Sequence, residues 1–319
     1  MSDTEELKIH IIDTEGGKAM IVLPPGGESM LVDAGYPVPE GRDTTRIAAA
    51  AEALGINHFD YIVATHYDKD HSGNIPNLDA RIPGRVFIDH GDILPTVQDE
   101  NRQLYYLPYL KAIAGRQHIV VRPGDVLPLK GVRITVVSAG GEALTRPVQG
   151  EAEPNPLCAA GLAPQPLDSN DNAGSVGLLY EFGRFRMLDL ADLLQAVEYR
   201  LMCPANVLGT VDLFMVSHHG YQASNSRLLV HSVRPRVALL NNSARKGGQP
   251  EVLDILRSSP GFQDLWQLHR STAAGEKNAP EDFIANPAEP CEARAITVTA
   301  LYNGIFTVTN TGNNFSRTY

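Results

Sequence analysis

Residues 65–71 read Thr-His-Tyr-Asp-Lys-Asp-His, which places four groups able to bind a divalent cation, His66, Asp68, Asp70 and His71, within six positions. The run follows Tyr61-Ile62-Val63-Ala64, an apolar stretch of the length of a buried strand. It precedes Ser72-Gly73-Asn74, a turn that opens a helix. A chain leaving a strand presents alternate side chains to one side, so His66, Asp68 and Asp70 are expected to point together. Neutral imidazole and carboxylate are donors that a divalent cation accepts. A cation so held can polarise an ester or phosphate and supply hydroxide at neutral pH. Histidines and acids seldom fall this densely after a buried strand without a shared task.

The elements that must position this loop can be read outward from it. Residues 7–12 and 18–23 form two adjacent strands joined at Glu15-Gly16-Gly17, and Ser29 to Val32 is a third, ending in Asp33-Ala34-Gly35. Asp43 or Thr44 can cap an alanine-rich helix that runs to Leu54 and stops at Gly55. A further strand ends in Asp89-His90-Gly91-Asp92, and residues 97–114 read as a helix kinked by Pro108. Strands follow over 118–137, and then a proline-rich irregular loop over 140–169, of the kind that usually covers a site. The second half repeats the style. A hairpin turns about Phe182-Gly183 into Ala191-Asp192, a helix covers about 193–202, and the buried strand 211–217 ends in His218-His219-Gly220. Ser224, Asn225 or Ser226 caps a helix, strands lie near 237–240 and 265–268, a helix spans about 250–258, and a terminal hairpin covers 295–309. Alternating strands and helices with polar motifs at strand ends imply a layered α/β sandwich, read as one domain over 7–319, with its site outside the strand termini.

Composition narrows the function classes. The formal net charge of −10 opposes tight binding to long nucleic acid, which depends on clustered Lys and Arg, but leaves room for a short phosphodiester held by a metal. No stretch approaches the 18 or so apolar residues of a membrane span. The acidic start lacks a signal-peptide pattern, so the chain as written reads as a soluble cytoplasmic protein, exported only if a signal has been removed. Cys158, Cys203 and Cys291 fit neither a disulfide framework nor a CxxC zinc site and are read as structural, with room for one bridged pair. Nothing in the composition bears on oligomeric state.

The order of these pieces resembles the metallo-β-lactamase superfamily. Its first motif, an Asp at a strand end, is matched by Asp33, and its HxHxDH motif by His66-x-Asp68-x-Asp70-His71. Its bridging Asp after a hairpin is matched by Asp192, and its final His after a strand by His218-His219-Gly220. The resemblance implies a four-layer αββα fold. Asp at position 68, Asn170-Asp171-Asn172-x-x-Ser175 and Ser217-His218-His219-Gly220 further resemble the soluble domain of ComEC-type competence proteins and their free-standing relatives. The chain departs from the superfamily pattern where a His usually completes the first metal site: His118 comes too early, and Asn172 is a weak donor.

What the resemblance implies is one or two divalent metal ions, zinc or manganese, with iron open because the ligand set is rich in oxygen. His66 and Asp68 would bind one ion, Asp70, His71 and His218 the other, and Asp192 would bridge in preference to Asp189. Asp70 would also act in catalysis, orienting the metal-bound hydroxide and passing its proton to the leaving group. Adjacent strand positions cannot both face the metals, so His218 is expected as the ligand and His219 as a substrate or supporting contact. Asp33 is expected to orient a ligand histidine, and His90 to reach the site mouth. Arg234-Pro235-Arg236 and Arg245-Lys246 are short basic points that could touch a substrate phosphate, although surface charge is the favoured account; Gly247-Gly248 beside the second pair allow the close backbone approach of an anion site. The implied activity is metal-dependent hydrolysis of a phosphoester, most plausibly a phosphodiester. The alternatives are hydrolysis of a carboxylic ester, lactone or β-lactam, or a non-catalytic metal-binding protein.

Overall fold

The structure, a computed structural model, describes residues 2, 4–160 and 170–319, so residues 161–169 of the expected 140–169 loop lie outside the described residues. Two mixed sheets face each other. The first has nine strands, in the order Ser316–Thr318, Phe306–Asn310, Ile296–Leu301, Glu6–Ile11, Met20–Leu23, Met30–Val32, Phe59–Val63, Gly84–Asp89 and Gln117–Val120. The second has eight, in the order Ile284–Asn286, Asp264–His269, Val237–Leu240, Leu213–Met215, Phe185–Asp189, Gly177–Phe182, Arg133–Ala139 and Glu142–Ala143.

Strand alternation builds the layers. Met30, Val32 and Val63 share the central core with Leu178, Met187 and Leu213 of the second sheet. Their neighbours Leu31 and Ile62 face the opposite way, onto Ile47 and Ala51 of helix Arg42–Ala53, Leu78 and Tyr109. The outer face of the second sheet is covered by helices Gln195–Met202, Arg227–Val233 and Pro250–Arg257, which bury Val197, Leu229 and Val252. This is the expected four-layer αββα sandwich.

Each sheet contains a parallel block. Met30–Val32, Phe59–Val63, Gly84–Asp89 and Gln117–Val120 run parallel in the first, and the five strands from Phe185–Asp189 to Ile284–Asn286 in the second. Loops at the carboxyl ends of the two blocks meet. Val176 N donates to Thr65 O at 2.8 Å, Asn241 Nδ2 to Gly17 O at 3.1 Å, and Lys18 Nζ to both carboxylate oxygens of Asp189 at 2.6 and 2.7 Å.

Several local expectations are corrected. Helix Arg42–Ala53 starts after Gly41, which takes the left-handed φ of 65°, and Asp43 is no cap: its carboxylate accepts the Tyr36 N–H at 2.7 Å. Over 97–114 the helix does not simply kink. It widens into a π-turn at Arg102–Tyr106 just before Pro108, whose missing N–H leaves a carbonyl of the preceding turn without its usual donor. Ser226 caps Arg227–Val233 by accepting Leu229 N–H, whereas Asn225 is used elsewhere. The hairpin Ile296–Leu301/Phe306–Asn310 is joined by an unforeseen third strand, Ser316–Thr318, and docks on Glu6–Ile11. Cys158 and Cys203 are bonded to each other, and Cys291 is free.

Candidate metal centre

Asp33 follows Met30–Val32 with a left-handed φ of 61°, which turns its carboxylate back under the 65–71 loop. Oδ1 accepts the Thr65 N–H at 2.9 Å, and Oδ2 accepts the Thr65 hydroxyl at 2.7 Å and the His71 Nδ1–H at 2.9 Å. With Nδ1 so engaged, the lone pair of His71 Nε2 faces inward, as orienting carboxylates do at metal-binding histidines. Asp33 is fully buried and sits behind the ligand atoms.

In front of it four side chains converge. Donor atoms of Asp70, His71, Asp192 and His219 all lie within 4.8 Å of one another. His71 Nε2 is 3.3 Å from Asp192 Oδ2 and 3.5 Å from Asp70 Oδ2; His219 Nε2 is 3.0 Å from Asp70 Oδ2 and 3.4 Å from Asp192 Oδ2. The two Nε2 atoms are 3.3 Å apart. Asp189, the competitor of Asp192, is instead taken up by Lys18.

The choice between the paired histidines comes out differently from the expectation. His219 Nε2 joins the cluster, while His218 Nε2 stands 3.7 Å from Asp192 Oδ2 and its Nδ1 lies 3.3 Å from Ser224 Oγ. The expectation treated both as strand residues. They lie beyond the strand in a turn where both have φ 51°, and a left-handed pair does not send successive side chains to opposite faces. His219 Nδ1 donates to Asn241 O at 2.9 Å, which again leaves Nε2 inward. Asn225 holds the turn: Oδ1 accepts Ser217 N–H at 2.9 Å, and Nδ2 donates to Ser217 O and Tyr221 O at 2.8 and 3.2 Å.

His66 and Asp68 lie beside this group, with His66 Nε2 3.8 Å from Asp68 Oδ2 and the His66 and His71 rings 4.1 Å apart. His66 Nε2, Asp68 Oδ1 and Asn172 Oδ1 are all buried without a hydrogen-bond partner. Orphaned buried donors and acceptors are costly, and a cation is the ligand that imidazole nitrogen and carboxylate oxygen would share. Electrostatics agree. Burial, and then the charge of Asp70, push Asp68 up to about 7 against the opposing pull of His71. Burial, and then His71, push His66 down to about 3, which keeps it neutral and able to coordinate. Burial works against a charge on His71, but Asp192, Asp33 and Asp70 outweigh it and raise His71 well above the usual imidazole range. The centre thus favours positive charge, and the residues present fit one or two divalent ions.

His90 does not reach the mouth. Its side chain is buried, with Nε2 donating to Asp171 Oδ2 at 2.9 Å and the ring 4.7 Å from Tyr67. Asp171 also accepts the Tyr67 N–H at 2.9 Å and the Leu94 N–H at 3.0 Å, which pins the peptide between His66 and Asp68. Its place in Asn170-Asp171-Asn172 was the signal for this role. Lys246, for which the sequence favours surface charge over a phosphate contact, enters the site: Nζ donates to Asp70 Oδ2 and, at 3.1 Å, to the Tyr36 hydroxyl. The adjoining glycines were its signal. A cavity of about 580 Å³ lies at the opposite ends of the parallel strands, against Ser29, Asn57 and Asp60, and contains none of the clustered residues.

Residues 13–146 match the family model of the metallo-beta-lactamase superfamily. These residues resemble that superfamily, and the chain has its fold. A curated relative, coenzyme F420H₂ oxidase of Methanothermobacter marburgensis, is 30% identical over 105 residues, 33% of this chain and 24% of the relative. Among solved structures, a variant of CmlA β-hydroxylase, an enzyme of Streptomyces venezuelae, superposes with a TM-score of 0.51 at 14% identity, over 84% of this chain and 53% of that one. Igni18, a metallo hydrolase of Ignicoccus hospitalis, matches at 15% identity over 82% and 94% of the two chains, with a TM-score of 0.45. The chain spans about a quarter of the length of this curated relative and about half of CmlA. No helix among the described residues is long and apolar enough to cross a membrane.

Proposed function

We propose that this chain is a metal-dependent hydrolase acting on a phosphoester, with a phosphodiester as the favoured substrate. The observation that carries the reading is the convergence of Asp70, His71, Asp192 and His219, with both imidazole Nδ1 atoms tied outward and both Nε2 atoms inward. His71, His219 and Asp70 would hold one ion, His66 and Asp68 another, and Asp192 would lie between them. When bound, such ions polarise the scissile ester and make water a nucleophile at neutral pH. The chain's own residues then orient ligands and water. Asp33 and Asn241 fix the imidazoles, and Asp70, kept ionised because His71 and Lys246 outweigh its burial, can orient the attacking water by accepting its hydrogen bond. The oxygen-rich donor set suits hard cations and phosphoryl oxygens, and the likeness to ComEC-type domains supports phosphodiester chemistry. The test is metal analysis followed by hydrolysis of bis-p-nitrophenyl phosphate, a p-nitrophenyl acyl ester and nitrocefin after loading with manganese or zinc. The phosphodiester is expected to turn over fastest. Faster turnover of either carbonyl substrate would overturn the substrate class, and no turnover of any would favour a non-catalytic metal-binding protein.

A second reading, an iron centre with redox chemistry, draws on the same hard donor set and on the oxidase among the relatives. Iron content and visible absorption of protein purified without added metal separate it from the first.

A further inference from the structure

We infer that Lys246, together with the hydroxyl of Tyr36, is the arm of this site that holds an anionic oxygen of the substrate beside the metal centre. This rests on the phosphoester reading above and names the substrate feature that the site selects, a negative charge at or next to the reacting group.

The position of Lys246 is built from both sides. It closes a turn in which Ser243 N donates to Lys246 O at 3.1 Å and Lys246 N donates to Ser243 Oγ at 2.9 Å. Gly247 and Gly248 follow, with φ of 79° and 63°, and lay the chain directly on the histidine turn: Gly248 N donates to His219 O at 2.8 Å. A Cβ on Gly247 would stand 1.9 Å from that carbonyl, so no other residue allows the approach. On the far side the Lys246 stem passes Gly16, where a Cβ would lie 3.1 Å from Lys246 Cδ. The ammonium ends against Asp70 Oδ2, 3.1 Å from Tyr36 Oη and 5.5 Å from the Tyr36 ring centre. The side chain keeps 26% of its exposure, so it remains open to a ligand.

Placing an ammonium here has a physical consequence. Asp70 Oδ2 is shared between Lys246 and the inward Nε2 of His219, so one carboxylate oxygen serves two centres of positive charge. A cation held by the clustered ligands would stand near Nζ, and like charges in a partly buried site repel strongly. An anionic oxygen lying between them satisfies both. A phosphodiester or phosphate oxygen brings that charge, and an ammonium is a point donor suited to it. A lactone or a simple carboxylic ester brings none. Tyr36 accepts from the ammonium at 3.1 Å and donates its own proton to Gly16 O at 3.3 Å, so its part in the arm is to hold Lys246 Nζ in place.

The experiment uses the full chain loaded with manganese, with inorganic phosphate as the probe. Phosphate binding is measured by calorimetry on wild type, Lys246→Met, Lys246→Arg and Tyr36→Phe, and bound metal is counted on the same samples. Lys246→Met is expected to hold the same metal equivalents and bind phosphate at least about tenfold more weakly, a loss typical of a charged hydrogen bond. Lys246→Arg should recover most of that affinity, and Tyr36→Phe should lose about two- to fivefold. Unchanged phosphate affinity in Lys246→Met, or a loss that only tracks lost metal, overturns the proposal. Tyr36→Phe reads the same arm if Lys246→Met does not fold, and wild-type affinity there would also overturn it. Phosphate binding that depends on Lys246 without phosphodiester turnover would keep the arm and reject the reaction; turnover with phosphate binding indifferent to Lys246 would do the reverse.

Discussion

The two sheets supply the centre in different ways. The first sheet delivers His66, Asp68, Asp70 and His71 from one loop after one strand, Phe59–Val63, and anchors that loop with the buried Asp33, while Asp171 pins it from the segment that enters strand Gly177–Phe182 of the second sheet. The second delivers Asp192, His219 and Lys246 from three separate turns. In these Ala191, His218, His219, Gly247 and Gly248 all take positive φ. Its anchor is indirect: Asn225 holds the histidine turn, and Glu198 in turn accepts the N–H groups of Asn225 and Ser226 at 2.6 and 2.9 Å. A compact motif needs one loop to fold correctly, whereas a dispersed set needs three turns to be placed by packing. The second half of the site should therefore be the one whose support is more sensitive to conditions.

The sharpest way to break this comparison is Asp192→Ala. Loss of the residue proposed to lie between two ions is expected to lower turnover at least about a thousandfold and to strip bound metal, read by hydrolysis and metal counting together. Full turnover would show that the second sheet does not complete the centre. Next, His219→Ala should cost about a hundredfold in metal affinity and His218→Ala less than about tenfold, since only His219 joins the four-residue cluster. The reverse order would restore the sequence-based choice. On the first-sheet side, Asp33→Asn keeps the shape but removes the charge behind His71, and metal affinity is expected to fall about tenfold to a hundredfold. A competition titration against a chelator measures it.

The smallest effect concerns the anchors themselves. Burial pushes Glu198 up to about 7, against an ordinary carboxylate value of 4.5. The folded protein therefore keeps a proton that the unfolded chain releases first. Stability from this group is fully present below about 4.5, declines as pH rises through 7 and is flat above it, with a total of about 3 kcal/mol at most. Urea melts from pH 5 to 8 should show that decline in wild type and a flatter profile in Glu198→Gln. Asp33 behaves oppositely: His71 and Lys18 overcome its burial and hold it below the usual range, so its contribution is lost only in acid. Equal profiles in wild type and Glu198→Gln would remove the contrast between the anchors.

Much of this was legible along the chain. The density of donors in 65–71, the strand before it and the glycine-bounded strand ends announce the sandwich and half of the candidate ligand set, because these signals are local: apolar runs, turn residues and short spacings. The distance of Asp192 from its hairpin was equally readable. What only the tertiary structure decided is how distant turns meet. Whether His218 or His219 faces inward depends on a left-handed turn held by Asn225, and period-two reasoning fails outside a strand. Lys246 meets Asp70 across 176 positions of sequence, and His90 meets Asp171 across 81. Such pairings arise from two sheets closing on a shared core, a global consequence of packing that no window of residues contains.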